Sequence, residues 1–373
     1  MNDWPDCPYI DGVDLFCQPH GWRLTTQQQS PTFYTAVLTD INAQRHYCSC
    51  LSFFEEAACH PINQVNDEDM DAADDADLPY LDFSANGSQC TMFVPKCLVL
   101  LSRNFYLETF RDCLSLMFSL VMDTETPSLK LEKIVATLVS SVSIPRHASG
   151  NVIDFSLGEE DIHLIKAFES PTLPITGITV HRLVQELGIH AVLTLFSAVM
   201  TEHKILFHSK SYTRLHDACH ALTSLMYPFK YSHVYIPILP ASLLDVLSTP
   251  TPFVIGVHSS RKNEVSDILD VIIVDLDGGH IAVPDCVHIP ALDEASVAEL
   301  TNLLCAVTRP DLFHADDAFQ NTLETPSSPD MLDKEVRAIF IRFFAILLSG
   351  YRTCLQTVRI HPHPFITFNK VCI

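Results

Sequence analysis

The sequence predicts an α/β protein built around a largely parallel sheet. Three observations carry that expectation. Strand-like and helical segments alternate through the middle of the chain, the strand-like runs are short and apolar, and prolines and other turn residues stand at the joints between them. Strands alternating with helical segments favour parallel pairing, with helices covering both faces.

The elements follow in chain order. Residues 33–39 and 46–54 are strand-like, and the short Asp40-Ile41-Asn42-Ala43 connection predicts a hairpin. Asp67, Glu68, Asp69, Asp71, Asp74, Asp75 and Asp77 then crowd into residues 66–77 without a positive charge. Such a block buries too little apolar surface to order itself, which predicts a disordered acidic insert spanning residues 57–90 rather than a docking tail. Residues 93–101 read as a strand, 108–121 and 129–142 as helices, and 152–157 as a closing strand. Ser170-Pro171-Thr172-Leu173-Pro174 marks a boundary between lobes.

Beyond that boundary an apolar segment, 191–200, reaches the polar break Thr201-Glu202-His203 and a strand at 204–208. Residues 212–226 form a helix with Leu215, Ala218, Cys219, Leu222 and Leu225 on one face, ended by Pro228. A strand at 233–239 is stopped by Pro240, and another, 253–258, follows Thr249-Pro250-Thr251-Pro252. Residues 271–275 and 280–284 pair across Asp277-Gly278-Gly279. After Pro290 a helix is predicted at 294–307. Beyond the breaker Thr325-Pro326-Ser327-Ser328-Pro329 comes a second, 334–348, striped by Val336, Ile339, Phe340, Phe343, Phe344 and Leu347.

Composition narrows the function. The chain has 373 residues, 47% of them hydrophobic, enough for two or three domains. With 23 Lys+Arg against 45 Asp+Glu, its formal charge of −22 argues against nucleic acid and against direct attraction to an anionic membrane. The 13 cysteines are scattered and mostly lie in apolar segments, as Cys97, Cys113 and Cys305 do, which reads as reduced cytosolic thiols. No signal peptide or membrane span is visible, so a soluble, cytosolic chain is expected.

The residues that invite chemistry have plainer readings. Asp275 and Asp277 could hold Mg²⁺ or serve phosphoryl transfer, but Asp-Gly after a strand is first a turn. His216 and His220 are four apart, as in a zincin, yet Asp217 and Ala218 misplace the required Glu. His361-Pro362-His363-Pro364 is first an extended linker. Cys48 and Cys50 share a strand face but do not by themselves have tetrahedral metal spacing. There is no G-x-S-x-G elbow, P-loop, G-x-G-x-x-G or C-x-x-C. No catalytic residue, cofactor or metal is expected.

Several long words carry a resemblance: TEHKILFHSKSYTRLHDACHAL, YIPILPASLLDVLSTPTPFVIGVH and DVIIVDLDGG, with GVDLFCQPHGW and AVLTDINAQRHYCSCLSFFE upstream and PDCVHIPAL and YRTCLQTVRIHPHP downstream. In matching order they resemble the DENN module of the SET-binding factors, the catalytically dead myotubularin-related proteins. The resemblance implies an incomplete longin-like upstream lobe at 1–160, a central DENN lobe at 170–306, and the start of a helical downstream lobe at 307–373. The family's opening strands, the rest of the downstream lobe and the lipid-binding and pseudophosphatase parts are not among these residues. A longin-like sheet without its first strands would present an unpaired edge.

The implied activity is guanine-nucleotide exchange on a Rab GTPase. An exchange factor needs no catalytic motif, only tighter binding to the nucleotide-free GTPase than to the loaded one. A non-catalytic Rab-binding scaffold is the alternative, and a GTPase-activating protein using Arg214 or Arg261 as a finger is a more distant one. The expected partner-facing residues are Glu202, Lys204, Tyr212, Arg214, Phe229, Lys230 and Tyr231, at strand and helix ends of the central lobe. The resemblance also implies a protein peripheral to endosomal or vesicle membranes, recruited through the missing domains or a partner.

Overall fold

The structure, a computed structural model, describes residues 12–40, 44–59, 90–122, 127–140, 142, 152–156, 162–166, 173–265, 268–313, 328–358 and 365–368. The acidic block at 66–77, residues 325–327 of the second breaker run and the histidine–proline run at 361–364 lie outside them.

A short helix, α1 (Val13–Cys17), leads into an antiparallel sheet of β1 (Thr32–Thr39), β2 (Arg45–Cys59) and β3 (Cys90–Ser102), in that order. The expected hairpin is present, with Thr39 opposite Arg45. β2 runs on to Cys59 and β3 begins at Cys90, so both ends of the expected 57–90 insert are strand, paired with each other. Two helices, α2 (Leu107–Met122) and α3 (Pro127–Ser140), follow. Cys113, Leu114, Met117 and Ile134 from them pack on Leu51 and Phe53 of β2. The closing strand β4 (Val152–Ser156) pairs with β5 (Ile162–Lys166), a partner that the sequence did not suggest.

Next come α4 (Thr179–Leu187) and α5 (Ile189–Met200), which meet at 115°. Gly188 forms the joint at φ +82°, a backbone region that penalises a Cβ. No single helix among the described residues is long and apolar enough to cross a membrane.

The central unit is then built strand by strand: β6 (Ile205–Ser209), α6 (Tyr212–Leu225), β7 (Val234–Ile236), β8 (Phe253–His258), a short α7 (Lys262–Val265), β9 (Ile272–Asp275) and β10 (His280–Ala282). Sheet order is β10-β9-β6-β8-β7, with β6 pairing parallel to β8 and β9, β8 parallel to β7, and β10 antiparallel to β9. β7 is shorter than the predicted run 233–239. Pro237 cannot donate to a ladder, and only Leu239 rejoins the sheet, donating to the Gly256 carbonyl at 2.8 Å. Gly256 is required there: a Cβ would stand 2.0 Å from the Pro237 carbonyl oxygen.

The remaining elements are α8 (Glu294–Thr308), α9 (Pro310–Phe313), α10 (Pro329–Leu347) and a hairpin of β11 (Leu355–Val358) and β12 (Phe365–Phe368). α10 starts five residues before the predicted helix, because Ser328 caps it, accepting from the Met331 amide, and Pro329 suits its first turn. Its apolar stripe enters the central core: Phe196 meets Phe340 at 4.8 Å and Phe344 at 5.7 Å. Asp333, fully buried, accepts hydrogen bonds from the Val180 amide (2.8 Å), the His181 amide (3.1 Å) and the Thr176 hydroxyl. A carboxylate on one helix thus caps the start of another far away in sequence.

The first sheet docks on the central unit through β1. Although β1 is an edge strand, residues 34–38 are all buried, with α6 and β7 alongside. Aromatic rings cement the contact. Phe105 lies 5.1 Å from Tyr47 and 5.2 and 5.7 Å from His216 and His220 of α6, and the Arg45 guanidinium sits 4.1 Å over the Tyr235 ring.

Candidate functional site

The docking of the two sheets leaves a cleft of about 620 Å³ at the carboxyl end of β6 and β8. One wall comes from β1, β2 and the segment after α1, with His20, Arg23 and Phe33. The other comes from the β6–α6 turn and the end of β8, with Lys210, Tyr212 and His258. In α/β sheets the carboxyl ends of parallel strands are where loops diverge and ligands or partners fit.

Local chemistry builds this end of the sheet. Ser211 caps α6 by accepting from the Arg214 amide, which sets Tyr212 at the helix start. The Tyr212 ring lies 5.0 Å from Tyr34, 5.6 Å from His20 and 5.1 Å from His258. Its hydroxyl is buried with no hydrogen-bond partner among the described residues. His258 donates from Nε2 to the Lys210 carbonyl at 3.0 Å. Burial lowers the pKa of His258, and it lowers His20 to about 4 with help from the neighbouring His258 and Arg261. Both rings are therefore neutral at pH 7, and the fixed charges of the cleft are Arg23 and Lys210. Among the described residues that line it there is no carboxylate, a local reversal in a chain of net charge −22.

Beneath this surface Arg214 acts as a brace. Its guanidinium reaches Glu186 (3.1 Å), Asp277 (2.8 Å) and the Leu276 carbonyl (2.6 Å). Desolvation pushes the Asp277 carboxyl up, but the Lys210 amide, the Ser209 hydroxyl, Arg214 and Ser259 outweigh it and hold the group below the usual carboxylate range. Asp275 accepts from the amides of Asp277 (3.0 Å) and Gly278 (2.9 Å) and faces Lys262 at 3.3 Å. Gly279, at φ +67°, completes the turn into β10. Asp275 and Asp277 therefore organise a glycine turn, in line with their plainer reading. His216 and His220 are core side chains, stacked 5.9 Å apart, with His220 hydrogen-bonded to the Ile175 carbonyl at 2.8 Å.

The seven residues expected to face a partner do not gather in one place. Tyr212 lines the cleft and Arg214 braces its floor. Glu202, Lys204, Phe229, Lys230 and Tyr231 lie toward the amino end of β6, whose five residues span roughly 17 Å. There Glu202, at φ +60°, pairs with His233 (3.1 Å), and Lys204 pairs with Asp270 (2.7 Å). Lys230 is exposed. Phe229 is half exposed and packs edge-on against Phe344 at 5.3 Å. Tyr231 is buried in the central core, where an apolar ring stabilises more than it could in water.

Sequence reasoning passed over His20, Arg23, Lys210 and His258, and also Trp22, which is 52% exposed between cleft residues Gly21 and Arg23. The signal for Trp22 was available: it is one of two tryptophans in the chain and stands in polar surroundings. The cleft itself was not legible, since its two walls lie nearly two hundred residues apart. Among the described residues, the place where three potential metal ligands converge is not this cleft but the core of the first sheet, at Cys17, Cys48 and Cys50.

Comparison with known proteins agrees with this architecture. The family model of the DENN (AEX-3) domain matches residues 93–279, and that of the uDENN domain matches residues 1–53. The chain is 27% identical over 362 residues to the DENN domain and WD repeat-containing protein SCD1 of Arabidopsis thaliana, covering 94% of this chain and 28% of that protein. It is 29% identical over 349 residues to myotubularin-related protein 5 of Caenorhabditis elegans, covering 93% of this chain and 18% of that protein. The chain thus spans between about a fifth and just over a quarter of the length of these relatives. The match extends over half of the chain and runs from the antiparallel sheet through the Asp275–Gly279 turn, so the protein belongs to the DENN (AEX-3) domain family.

Proposed function

We propose that the cleft between the first sheet and α6 docks a Rab GTPase and that docking accelerates release of GDP. The observation that carries this reading is the cleft itself, an Arg- and Lys-bearing groove of a DENN-family chain with no carboxylate among the described residues that line it and an exposed tryptophan on its rim. Trp and Arg are enriched at binding hot spots, and a basic groove steers an acidic segment of a partner. In this reading residues 1–160 are the longin-like upstream lobe, 170–306 the central lobe and 307–373 the start of the downstream lobe. Tyr212 contacts the GTPase, Arg214 is a positioning residue, and Glu202, Lys204, Phe229, Lys230 and Tyr231 belong to a separate end of the sheet.

Exchange by this route transfers no group. The chain binds the nucleotide-free GTPase more tightly than the loaded form, and by linkage the same factor weakens the GTPase's hold on nucleotide. A rigid groove suits that task, because each increment of preference for the open switch region appears directly as weaker nucleotide binding.

The test is a panel of Rab GTPases loaded with a fluorescent GDP analogue, with this chain added at substoichiometric amounts and GTP in excess. Accelerated fluorescence loss supports exchange. Trp22→Ala and Lys210→Glu should each slow it by about tenfold or more, as expected for the loss of an anchor worth ~1.4 kcal/mol. Binding without faster loss would make the protein a scaffold, and faster phosphate release from GTP-loaded Rab would make it an activating protein. If no Rab binds or responds, the reading fails.

A further inference from the structure

The core of the first sheet gathers three cysteine thiols, with a fourth cysteine on the neighbouring strand. Cys17 ends α1, Cys48 and Cys50 alternate onto one face of β2, and Cys97 comes from β3, where it stands opposite Ser52, the next residue on that same face. The Sγ atoms of Cys17, Cys48 and Cys50 all lie within 4.8 Å of one another, with Cys48 and Cys50 3.6 Å apart. Cys97, half-buried on the neighbouring strand, stands outside this group of three. We propose that Cys17, Cys48 and Cys50 hold a structural zinc ion that locks α1 onto the sheet, with Cys97 of the neighbouring strand recruited as its fourth ligand.

Geometry supports the assignment. A Zn–S bond is about 2.3 Å, so the edge of a regular ZnS₄ tetrahedron is about 3.8 Å, close to the spacing already present between Cys48 and Cys50. A closed, four-thiolate shell is the usual form of a structural zinc site, and sulfur ligands select zinc over hard cations. The cage is held from outside. The Tyr34 hydroxyl donates to the Cys17 carbonyl at 2.6 Å, and Gln18 donates to Ser52 at 2.7 Å, so the end of α1 cannot swing away from the strands. Cys17, Cys48 and Cys50 are buried while Cys97 is only partly so, which leaves one side for an ion to enter.

An incoming cation replaces the thiol protons. Four Zn–S bonds form, the thiol protons pass to solvent, and no electron is transferred. Chance packing of small apolar side chains explains one or two buried cysteines, as Cys113 and Cys219 illustrate on their own helices. It does not explain three buried sulfurs within 4.8 Å of one another.

The test uses the whole chain purified under reducing conditions, with metal content read by plasma mass spectrometry and Co²⁺ added to chelator-stripped protein as a spectroscopic probe. The expected result is about one zinc per chain and, with cobalt, a thiolate charge-transfer band together with intense tetrahedral d–d bands. Cys50→Ser should abolish both, while Cys219→Ser keeps both. Should Cys50→Ser fail to fold, cobalt spectra of the unsubstituted chain decide the matter alone. Stripped protein that stays folded by circular dichroism, shows no cobalt charge-transfer band and was purified without zinc overturns the proposal. A disulfide among these four residues in the freshly reduced chain would overturn it as well.

Discussion

Replacing Asp333 by alanine should loosen the whole helical side of the central unit. The Asp333 carboxylate accepts from the Val180 and His181 amides and the Thr176 hydroxyl, and Arg337 lies 3.4 Å away. Alanine leaves two helix-start amides and one hydroxyl without their buried acceptor. Each such group costs about 1–3 kcal/mol, and removing one partner of a buried pair costs about 3–5 kcal/mol, so Asp333→Ala should lower stability by about 3–5 kcal/mol. Asparagine keeps an acceptor oxygen and loses the charge, for which about 1–2 kcal/mol is expected. Urea denaturation, extrapolated to water, measures both variants, and hydrogen exchange at the Val180 and His181 amides localises the effect. The reasoning fails if the alanine variant loses less than about 1 kcal/mol with unchanged exchange at those amides, since the carboxylate would then be replaceable by water.

Gly256→Ala should cost about 3 kcal/mol or more, because the new Cβ meets the Pro237 carbonyl at 2.0 Å and Leu215 Cβ at 3.2 Å; a melting temperature within a degree or two of the unsubstituted chain would contradict this. Burial, with repulsion from His220, lowers the His216 pKa from 6.5 to about 3. The unfolded chain therefore takes up that proton first, so stability is fully present above about pH 6.5 and is lost as pH falls towards 3. Between pH 7 and pH 5 this ring alone should account for ~2 kcal/mol, so His216→Leu should flatten the pH dependence of the urea midpoint; equal slopes for both proteins would refute it. Arg214→Ala should reduce stability by about 1–3 kcal/mol and slow exchange together, whereas Trp22→Ala should change stability by less than about 0.5 kcal/mol while slowing exchange. A Trp22 variant that unfolds as readily as the Arg214 variant would show that Trp22 is structural.

Local pattern carried much of this architecture. Alternating strands and helices, the Asp275–Gly279 turn and the β1–β2 hairpin depend on residues within a few positions of one another, and short-range chemistry suffices to read them. The plainer readings of His216, His220 and the aspartate pair come from the same source, as motif geometry that the spacing does not satisfy. The pairing of β4 with β5 and the short span of β7 escaped because a strand's partner, or a proline's place in a ladder, is decided by neighbours outside the window.

Strand and helix ends do mark exposed loops, yet residues at two ends of one strand point to different surfaces. That is why Tyr212 and Glu202 share a sequence neighbourhood but not a site. Tyr231 reads in sequence as a partner-facing aromatic and is core, because burial of an apolar ring is set by what packs over it. Sequence by itself thus determined most of the α/β elements, several of their turns, and the family. Only tertiary structure decided that a carboxylate at 333 caps a helix at 179, that three thiols at 17, 48 and 50 meet, and that a basic cleft opens in an acidic chain. Each of these depends on contacts between segments whose separation along the chain carries no information about their distance in space.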